Sequence, residues 1–451
     1  MKSKETGTVL IVDGGGRGSA LVDSYSRSPH VKRILAVPGN DLMQSVSQRP
    51  VEIYPRLKTT DVDEIVDICK REDVDLVDVA QENAIEAGLV DALEKTSIPT
   101  VGPTRAAGEI EWSKVFARNR GREIGLSQPD FGVFTTMAEG VEYILQQPDS
   151  KSWFVKADGL TEGKGVFPIE RKQEAETQIG ELRGKFPDAA RAYLIEDWIG
   201  REQEPYETGE EFSYFVITDG KMFKRLGSAQ DQKRRYDNDK GPNTGGMGSS
   251  SPPFLVTSEI SSTVDSEIIA PVLEYLRHTG REYRGVLYLG AIYLHNRQKI
   301  YVIEFNARWG DPEAQAIIPG ITTDLFELGQ AVATGNLEDI EITTDGKYRI
   351  AVAGVAKGYP DNYSSVIGKE IYGIEGIIEM DGIKVYGAGV KMIEGRYYVS
   401  GGRLFYVVGE GNNPIGVREK VYSAMKRLSV EGDNLHFRTD TGEKDVQRFI
   451  K

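Results

Sequence analysis

The stretch IYVIEFNARWGDPEAQ, residues 300–315, brings a carboxylate, an amide and a guanidinium together at alternate positions. If it forms a β-strand, Glu304, Asn306 and Arg308 point to one face. A carboxylate and an amide oxygen suit Mg²⁺ that keeps waters and phosphate oxygens, and the arginine suits a carboxylate or a transferring phosphoryl group. The other face, which we expect to be core, carries Tyr301, Ile303 and Phe305. The alternative is a half-solvated strand with polar outer residues.

The stretch WFVKADGLTEGKGV, residues 153–166, supplies two cations in different settings. Lys156 lies near the end of an apolar strand, and Lys164 lies in a loop between Gly163 and Gly165. Such a pair can close over a polyphosphate and exclude water. For either lysine alone, an ordinary surface cation is the competing interpretation.

Two further stretches suit phosphate or nucleotide binding. In DGGGRG, residues 13–18, a predicted strand ends in three glycines and a helix follows, so backbone N–H groups could approach a phosphate. A tight strand-to-helix turn without a ligand fits equally well. In IEDWI, residues 195–199, the backbone of a strand end could contact a nucleobase, although an ordinary strand end is the simpler interpretation.

The stretch NDKGPNTGGMGSSSPP, residues 238–253, has the composition of a connector between elements. Its position indicates something else, because it follows QDQKRR and precedes the strand that bears Glu304 by about fifty residues. Small residues allow a backbone to approach a ligand closely. We therefore interpret this stretch as part of a ligand wall rather than a linker.

The composition excludes several classes of protein. The chain has 451 residues, enough for about three domains, with 39% apolar and 27% charged residues. A formal net charge of −14 argues against an electrostatic grip on nucleic acid or an anionic membrane. No signal-like or membrane-spanning apolar run is present, so we expect a cytoplasmic protein. The single cysteine, Cys69, allows no internal disulfide, and histidine chemistry is not expected because the histidines lie outside the stretches above: His30, His278, His295 and His436.

Periodicity predicts the elements that must position these groups. The first hundred residues alternate between strands and helices, with strands at 8–13, 33–39, 74–80 and 98–102 and helices at 61–73 and 84–96. This pattern predicts a parallel α/β unit with ligands at the carboxyl ends of its strands. From about 110 to 335, strands outnumber helices, as in an α+β body. A polar segment after residue 335 marks a boundary before a region of short strands.

The order of the motifs resembles the ATP-grasp ligases, and among them the phosphoribosylamine–glycine ligase family. The matching pieces span nearly the whole chain: GGGR (14–17), GPTRAAGEIEWSKVFAR (102–118), VKADGLTEGKGV (155–166), IEDWI (195–199), QDQKR (230–234), GPNTGGMGSSSP (241–252), IEFNARWGDPEAQ (303–315), GYP (358–360) and HFRTDTG (436–442).

The resemblance implies an ATP-grasp fold of α/β and α+β character in three parts. These are a Rossmann-like domain at 1–110, an ATP-grasp domain at 111–335 with a lid at about 125–194, and a C-terminal mixed domain at 336–451. It also implies ligation of glycine to 5-phosphoribosylamine through glycyl phosphate, in purine synthesis. ATP is then a co-substrate and Mg²⁺ or Mn²⁺ the metal. Only small-molecule substrates are expected as partners, and the chain is expected to be a monomer or a small homo-oligomer.

Residue roles follow by position in the matching motifs. The metal ligands are expected to be Glu304 and Asn306, and the catalytic residues Arg308, Lys164 and Asp231. The implied ATP contacts are Lys114, Lys156, Lys164, Glu196, Ile199 and, for the ribose, Glu211 with Glu204 as the fallback. The implied substrate contacts are Gly15, Gly16, Arg17, Glu82, Lys233, Asn243, Thr244, Gly245, Gly246, Asp311 and Pro312.

The chain departs from the family pattern mainly where the acceptor is expected to bind. Gly18 and Ser19 replace the Glu and His of the usual GGREHA, and AQENAI (80–85) replaces GPEAPL, keeping Glu82. Gln232 replaces the His of DHKR, and REQEPYET (201–208) is inserted after the hinge. Two alternatives therefore stay open: an ATP-grasp ligase with a different acceptor, and a non-catalytic ATP-binding paralogue. The intact charged set argues against the second.

Overall fold

A computed structural model describes residues 7–161, 163–200 and 209–451. The chain begins with a five-stranded parallel sheet in the order β3-β2-β1-β4-β5, which confirms the parallel α/β unit predicted for this region. Its elements are β1 (Gly7–Asp13), α1 (Gly16–Ser26), β2 (Val31–Pro38), α2 (Met43–Val46), β3 (Val51–Ile53), α3 (Val62–Arg71), β4 (Leu76–Val79), α4 (Glu82–Glu86), α5 (Leu89–Glu94), β5 (Thr100–Val101) and α6 (Arg105–Trp112).

Two details of this unit differ from the prediction. The helix expected over 84–96 is two helices, because Gly88 takes a left-handed backbone conformation with φ of 86° between α4 and α5. The short edge strand β3 was not predicted. The first of these differences places Glu82 at the start of its own short helix, directly after β4.

A four-stranded antiparallel sheet follows, in the order β6-β9-β7-β8. Its buried residues, including Trp153, Val155 and Ile195, form a core separate from those of the larger sheets. We call this small unit the lid sheet. Its elements, with the helix that leads into it, are α7 (Lys114–Glu123), β6 (Phe131–Phe134), α8 (Met137–Gln146), β7 (Trp153–Ala157), β8 (Val166–Ile169), α9 (Ala175–Lys185) and β9 (Tyr193–Asp197).

The remaining elements build the largest sheet of the molecule and the units that flank it. The first part comprises β10 (Gly209–Asp219), β11 (Phe223–Asp231), β12 (Arg234–Tyr236), β13 (Lys240–Asn243), β14 (Gly248–Ser251), α10 (Ser258–Val264), α11 (Ala270–His278), β15 (Arg284–Leu294), β16 (Lys299–Asn306), α12 (Glu313–Ile317) and α13 (Leu325–Thr334). The second part comprises β17 (Tyr348–Ala356), β18 (Glu370–Tyr372), α14 (Ile374–Ile378), β19 (Ile383–Gly387), β20 (Val390–Ile393), β21 (Arg396–Val399), β22 (Arg403–Gly411), α15 (Pro414–Met425), β23 (Ser429–Val430), β24 (Leu435–His436) and α16 (Glu443–Ile450).

Both parts contribute to one nine-stranded antiparallel sheet, in the order β16-β15-β10-β11-β14-β17-β22-β19 with β24 on β17. The pairing of β14 with β17 joins strands from the two sides of the polar segment at 336–347. As a result, strands that are far apart in sequence are neighbours in one sheet. β12 and β13 form a separate hairpin beside it.

The predicted core face of the strand at 300–306 was wrong in part. The register of β16 against β15 shifts by one residue, because Gly290 is opposite Glu304 and Ala291 is opposite Val302, which leaves Ile303 as a bulge. Ile300, Val302 and Phe305 are therefore the buried apolar residues of this strand. The other two residues expected in the core, Tyr301 and Ile303, are half-buried.

Candidate active site

Glu304, at the end of β16, lies among positive charges from three other segments. The Lys233 Nζ is 4.0 Å from the Glu304 Oε1. Burial alone would raise the pKa of Glu304, but the charges of Lys233, Lys114, Lys156 and Arg308 outweigh it and lower that pKa. Glu304 is thus an ionised carboxylate at the centre of what we call the lysine cluster, whose members are Lys114, Lys156, Lys233, Glu196, Glu211 and Glu304.

Lys156 and Glu196 meet across the lid sheet, where β7 and β9 are neighbours. The Lys156 ammonium and the Arg118 guanidinium, whose Nε is 2.8 Å away, both contact the Glu196 carboxylate. Burial would raise the pKa of Glu196, but these two cations lower it to about 2. Arg118 also donates to the carbonyl oxygens of Val302 and Ile303, at 3.1 and 2.7 Å, and so ties the lid sheet to β16.

Lys114 begins helix α7, whose N-cap is Ser113, and Asp158, directly after the lid strand β7, holds the same helix start. The Asp158 Oδ1 accepts from the Val115 N–H at 2.7 Å and from the Ser113 hydroxyl at 3.0 Å. Burial lowers the pKa of Lys114, and the charge of Glu304 opposes that shift. A buried ammonium beside a carboxylate is stabilised further by any anion that binds there.

Lys233 links Glu304 to Glu211 on the neighbouring strand β10. The Lys233 Nζ lies 3.1 Å from the Glu211 Oε2. Asp231, at the end of β11, shares this environment, and burial raises its pKa to about 7 although Lys233 opposes the shift. The adjacent Glu210 points elsewhere and contacts His295 at 2.7 Å and Arg448. Of the two acids in the GEE sequence, Glu211 is thus the one that faces the lysine cluster.

Glu304 and Asn306 together fit a hard divalent cation. They are alternate residues of one strand, both present oxygen donors, and the Asn306 Nδ2 is buried without a hydrogen-bond partner in the part of the chain that the structure describes. No group of three or more His, Cys, Asp or Glu that could hold a metal occurs among residues 7–161, 163–200 and 209–451. Two protein oxygens leave most ligand positions to phosphate oxygens and water, which is how Mg²⁺ binds at nucleotide sites.

Arg308 lies beyond the end of β16, between two acids from earlier parts of the chain. Its Nε is 3.0 Å from the Glu82 Oε2, and its Nη2 is 2.8 Å from the Glu111 Oε1. Burial would raise the pKa of Glu82, but Arg308 and Arg17 lower it to about 2. Burial raises the pKa of Glu111 to about 7 although Arg308 opposes it. The guanidinium predicted to clamp a ligand is therefore already oriented by carboxylates of the protein.

The glycine loop after β1 is organised around a residue that was not predicted, Asp13. Its Oδ1 accepts from the N–H groups of Gly15 and of Gly18, the latter at 3.1 Å, at the N-terminus of α1. Its Oδ2 accepts from the Arg17 Nε at 2.8 Å, and the Arg17 Nη1 donates to the Trp309 carbonyl oxygen at 2.8 Å. Two N–H groups that a phosphate could use thus point at a side chain of the protein.

The other glycines of this loop are accounted for by packing. A Cβ on Gly16 would lie 2.3 Å from the Tyr406 ring, and a Cβ on Gly14 would lie 2.8 Å from Pro38. At Gly15 the nearest atoms are carboxylate oxygens of Asp13 and Asp311, both 3.3 Å from such a Cβ. The chain at Gly15 therefore faces the acidic loop after β16.

Asp311 is held by an arginine from the C-terminal strand β22. The Arg403 Nη2 lies 3.3 Å from the Asp311 Oδ2, and its Nη1 donates to the Asp311 carbonyl oxygen at 2.9 Å and to that of Gly245. Burial would raise the pKa of Asp311, but Arg403 and Arg17 lower it. We call the arginine cluster the set formed by Arg17, Arg308, Arg403, Asp13, Glu82, Glu111 and Asp311.

The glycine run at 243–246 is a folded wall of this cleft. Asn243 ends β13, and the Thr244 N–H and hydroxyl both donate to the Lys233 carbonyl oxygen at 2.8 Å. Gly246 has φ of 108°, and a Cβ there would lie 2.3 Å from Pro312. The Gly245 N–H donates to the Tyr359 hydroxyl at 3.0 Å. The small residues thus allow close approach to Pro312 and the C-terminal strands, which is a packing reason for them in addition to the predicted ligand contact.

Three predicted residues lie at the margins of the site. Lys164 is exposed in the loop between β7 and β8, where a Cβ on the neighbouring Gly163 would lie 3.9 Å from the Thr244 carbonyl oxygen. Ile199 follows β9 and is half-buried. Glu204 lies outside the described residues. The lid loop therefore faces the glycine run across the cleft.

Three departures from the family pattern have structural explanations, and the insertion at 201–208 lies outside the described residues. A Cβ on Gly18 would lie 2.8 Å from the Asp13 Oδ1, so Asp13 and a larger residue at position 18 exclude one another in this conformation. The Ser19 hydroxyl donates to the Gly387 carbonyl oxygen at 2.8 Å and joins α1 to β19. The Gln232 Nε2 donates to the Asp440 carbonyl oxygen at 3.3 Å. Position 18 and the side chains of Ser19 and Gln232 therefore take part in contacts within the protein.

Several residues in or beside the two clusters were not predicted from the sequence. Glu111 and Arg118 lay inside the quoted motif at 102–118, Asp13 stood beside the glycine run, and Arg403 was part of a predicted strand. Acidic residues next to the motif arginines were the available signal, since buried charges need partners.

Among the helices of the described residues, none has the length and apolar character to cross a membrane.

Known proteins match nearly the whole chain. The chain matches family models for the phosphoribosylglycinamide synthetase N domain at residues 7–111, the ATP-grasp (A) domain at 112–314 and the C domain at 349–444. A phosphoribosylamine–glycine ligase from Rhodopirellula baltica is 35% identical over 94% of this chain and 95% of its own length. One from Caulobacter vibrioides is 34% identical, over 98% of this chain and 99% of its own length.

Solved structures show the same architecture. A phosphoribosylamine–glycine ligase from Thermotoga maritima has a TM-score of 0.78 and 25% identity, covering 96% of this chain and 100% of that one. The biotin carboxylase domain of Hydrogenobacter thermophilus 2-oxoglutarate carboxylase, in complex with MgADP, has a TM-score of 0.71 at 15% identity, with 99% of each chain covered, and shares the fold alone. The predicted fold class, an ATP-grasp fold within a multidomain α/β and α+β chain, is confirmed.

Proposed function

The chain belongs to the phosphoribosylamine–glycine ligase family, and on this premise we propose how its two clusters join glycine to 5-phosphoribosylamine with ATP. As an ATP-grasp ligase of purine biosynthesis it produces glycinamide ribonucleotide, ADP and phosphate. The proposal concerns which residues bind each substrate and which act in catalysis.

One observation carries the nucleotide site: the ionised Glu304 stands among Lys233, Lys114, Lys156 and Arg308. A metal–triphosphate complex needs a carboxylate for the metal and cations for the phosphate oxygens, and this cluster presents both. We therefore place the triphosphate of ATP there. Glu196 and Ile199 would contact the adenine through the backbone, and Glu211 would accept from the ribose hydroxyls.

Glu304 and Asn306 would hold Mg²⁺, or Mn²⁺ in its place. When bound, the metal neutralises charge on the phosphate oxygens during transfer. ATP-grasp enzymes use ATP with Mg²⁺, and the adjacent oxygen donors of this strand suit that ion.

The chemistry takes two steps. A carboxylate oxygen of glycine attacks the γ-phosphorus of ATP, the bond to ADP breaks, and glycyl phosphate forms. The amine nitrogen of phosphoribosylamine then attacks the carbonyl carbon, phosphate leaves, and the nitrogen loses a proton. Arg308 stabilises the carboxylate and the charge that develops on the transferring group, and Lys164 closes over the phosphates. Asp231 is the third proposed catalytic residue, beside Lys233.

The arginine cluster is the proposed site for the phosphoribosyl group. Gly15, Gly16 and Arg17 are assigned to the phosphate, and Glu82 and Asp311 to the hydroxyls. The position of the Asp311 carboxylate beside Gly15 supports the assignment of the sugar hydroxyls to this loop. The residues assigned to glycine and the acyl phosphate are Lys233, Asn243, Thr244, Gly245, Gly246 and Pro312. We further propose a cytoplasmic location, and a monomer or small homo-oligomer that acts on small molecules only.

ADP release with ATP, Mg²⁺, glycine and phosphoribosylamine generated in place tests the function. The expected result is one glycinamide ribonucleotide, detected by mass, for each ADP, with loss of turnover when any component is omitted. ADP release that does not respond to phosphoribosylamine would contradict the assignment and favour another acceptor. Omitting glycine alone tests the carboxylate substrate in the same assay.

A further inference from the structure

Arg308 has two carboxylate partners, and they differ in what else they do. Glu82 contacts the guanidinium through one oxygen, and its side chain retains 20% exposure toward the cleft. The Glu111 side chain is 6% exposed, and both of its oxygens are engaged. Glu82 is therefore accessible to a substrate, whereas Glu111 is part of the protein framework.

The second contact of Glu111 is with the metal-ligand strand. Its Oε2 accepts from the Ala307 N–H at 2.7 Å, while its Oε1 holds the Arg308 Nη2 at 2.8 Å. Ala307 directly follows Asn306, at the end of β16. The Glu111 carboxylate therefore fixes both the backbone N–H of Ala307, which follows the proposed metal ligand Asn306, and the guanidinium of Arg308.

Glu111 also lies close to the nucleotide side of the cleft. It belongs to the last turn of α6, and Ser113, the cap of α7, and Lys114 follow directly. The charge of Glu111 acts on Lys114, and that of Lys114 acts on Glu304. This short segment therefore sets the relative positions of Lys114, the end of β16 and Arg308.

We propose that Glu111 is a positioning residue for the ligation reaction, which holds Arg308 and the end of β16 in the geometry that the transferring phosphoryl group requires. This inference rests on the proposed function, because it assumes that Arg308 acts on the reacting groups. Glu111 itself has no free oxygen for a substrate and acts through Arg308. Misplacement of a catalytic group by about 1 Å costs about 100-fold in rate.

The test is Glu111→Gln, which keeps the shape of the side chain and one oxygen for the Ala307 N–H but replaces the oxygen that accepts from the Arg308 Nη2 with an amide nitrogen that cannot accept. We expect kcat to fall about 100-fold. MgADP affinity, measured by calorimetry, should stay within about threefold of wild type, because the amide oxygen of the variant still accepts from the Ala307 N–H and keeps the end of β16 in place. Glu109→Gln on the same helix is the matched control, since Glu109 pairs with Arg281 outside the site and should change kcat by less than about twofold.

Two outcomes would overturn the inference. A folded Glu111→Gln enzyme with wild-type kcat would show that Arg308 needs no such support, and parallel losses of kcat, MgADP binding and thermal stability would show a general structural role. If this variant does not fold, Glu111→Asp replaces it, because its shorter side chain keeps the charge but cannot make both contacts. We then expect kcat to fall by at least about tenfold at unchanged MgADP affinity, and wild-type kcat would count against us. An inactive wild-type enzyme would instead refute the proposed function.

Discussion

The lysine cluster and the arginine cluster hold their charges in different ways. In the lysine cluster, Lys156 and Lys233 pair with Glu196 and Glu211, but Lys233 reaches the central Glu304 only at 4.0 Å and burial lowers the pKa of Lys114, so the ion pairing at Glu304 itself is loose. In the arginine cluster, each guanidinium lies within 3.3 Å of a carboxylate of the protein. The difference indicates that the lysine cluster is completed by its ligand, whereas the arginine cluster is assembled before any ligand binds.

The same difference explains where the sequence tolerates change. The residues proposed to contact ATP keep the family pattern, although Gln232 and the insertion 201–208 lie beside them in sequence, whereas the segments around the arginine cluster depart from it at Gly18, Ser19 and 80–85. Asp13 fills the space beside Gly18, and Ser19 bonds to Gly387. A cluster whose arginines pair with carboxylates of the protein can exchange one neighbouring residue for another while the arginines stay in place.

The largest expected effect is at Glu304, the centre of the lysine cluster. Glu304→Gln should lower kcat on the order of 10³-fold, because a metal ligand stabilises the charge of phosphoryl transfer by several kcal/mol. Steady-state kinetics at saturating Mg²⁺ measure this. The control is Glu210→Gln, whose partners are His295 and Arg448, with kcat expected within about twofold of wild type. Wild-type turnover in Glu304→Gln would show that the metal site is misplaced.

The second effect concerns stability beneath the arginine cluster. Burial raises the pKa of Asp78 to about 7, and the Tyr25 hydroxyl donates to its Oδ2 at 2.8 Å. The folded state keeps a proton that the unfolded state loses near pH 4, so this contribution to stability disappears as pH rises from about 4 to 7. Relative to wild type, Asp78→Asn should gain on the order of 3 kcal/mol between pH 5 and pH 8.

Urea unfolding across this pH range measures the difference in denaturation midpoint. Asp63→Asn, an exposed acid of α3, is the matched control and should show no such gain. A difference between wild type and Asp78→Asn that does not change with pH would mean that Asp78 is ionised in the folded protein.

The third effect is on acceptor binding. Arg403→Lys cannot keep the contacts to Asp311 and to the Gly245 carbonyl oxygen together, because an ammonium lacks the fork of the guanidinium. The KM for phosphoribosylamine should rise about 30-fold, the equivalent of one charged hydrogen bond, with the KM for ATP unchanged. Arg396→Lys, at an exposed pair with Glu370, is the control. An equal rise in both KM values would remove the distinction between the clusters.

The smallest effect is expected at the lid loop. Lys164→Ala should lower kcat about tenfold with little change in the thermal unfolding midpoint, because the side chain is exposed and contacts of exposed charges add little to stability. Differential scanning fluorimetry and kinetics measure the two quantities. Lys185→Ala, an exposed lysine of α9 that pairs with Glu181, should change neither. A lower unfolding midpoint for Lys164→Ala would argue against a lid role.

The sequence predicted the fold correctly wherever the residues of a single helix or strand were enough to specify that element. The strands with continuous apolar runs were found, but the bulge at Ile303 was not, because it depends on the register against Gly290 in another strand. The helix break at Gly88 was missed since a single glycine inside an apolar pattern is compatible with a helix. Local patterns specify elements, and pairing between distant strands specifies the faces.

The residues of the candidate site also fall into those predicted from local sequence and those that depend on contacts between distant segments. Glu304, Asn306, Lys156 and Lys164 were predicted because their own spacing indicates their chemistry, and Lys114 and Lys233 were implied by the family resemblance. The partners of Arg308 were not, because Glu82 lies 226 residues away and meets it only after the parallel sheet docks on β16. The role of Asp13 could not be predicted for a related reason. Its carboxylate accepts hydrogen bonds from Arg17 and from the glycine loop only when the chain has folded.

Calorimetry with two ligands tests the central claim, that nucleotide and acceptor are bound by separate clusters. Ribose 5-phosphate serves as a stable acceptor probe beside MgADP, and Lys156→Ala and Arg403→Lys represent the two clusters. We predict that Lys156→Ala weakens MgADP at least about tenfold and leaves ribose 5-phosphate unchanged, and that Arg403→Lys does the reverse. If each variant weakens both ligands equally, the two clusters form one site and the account is wrong.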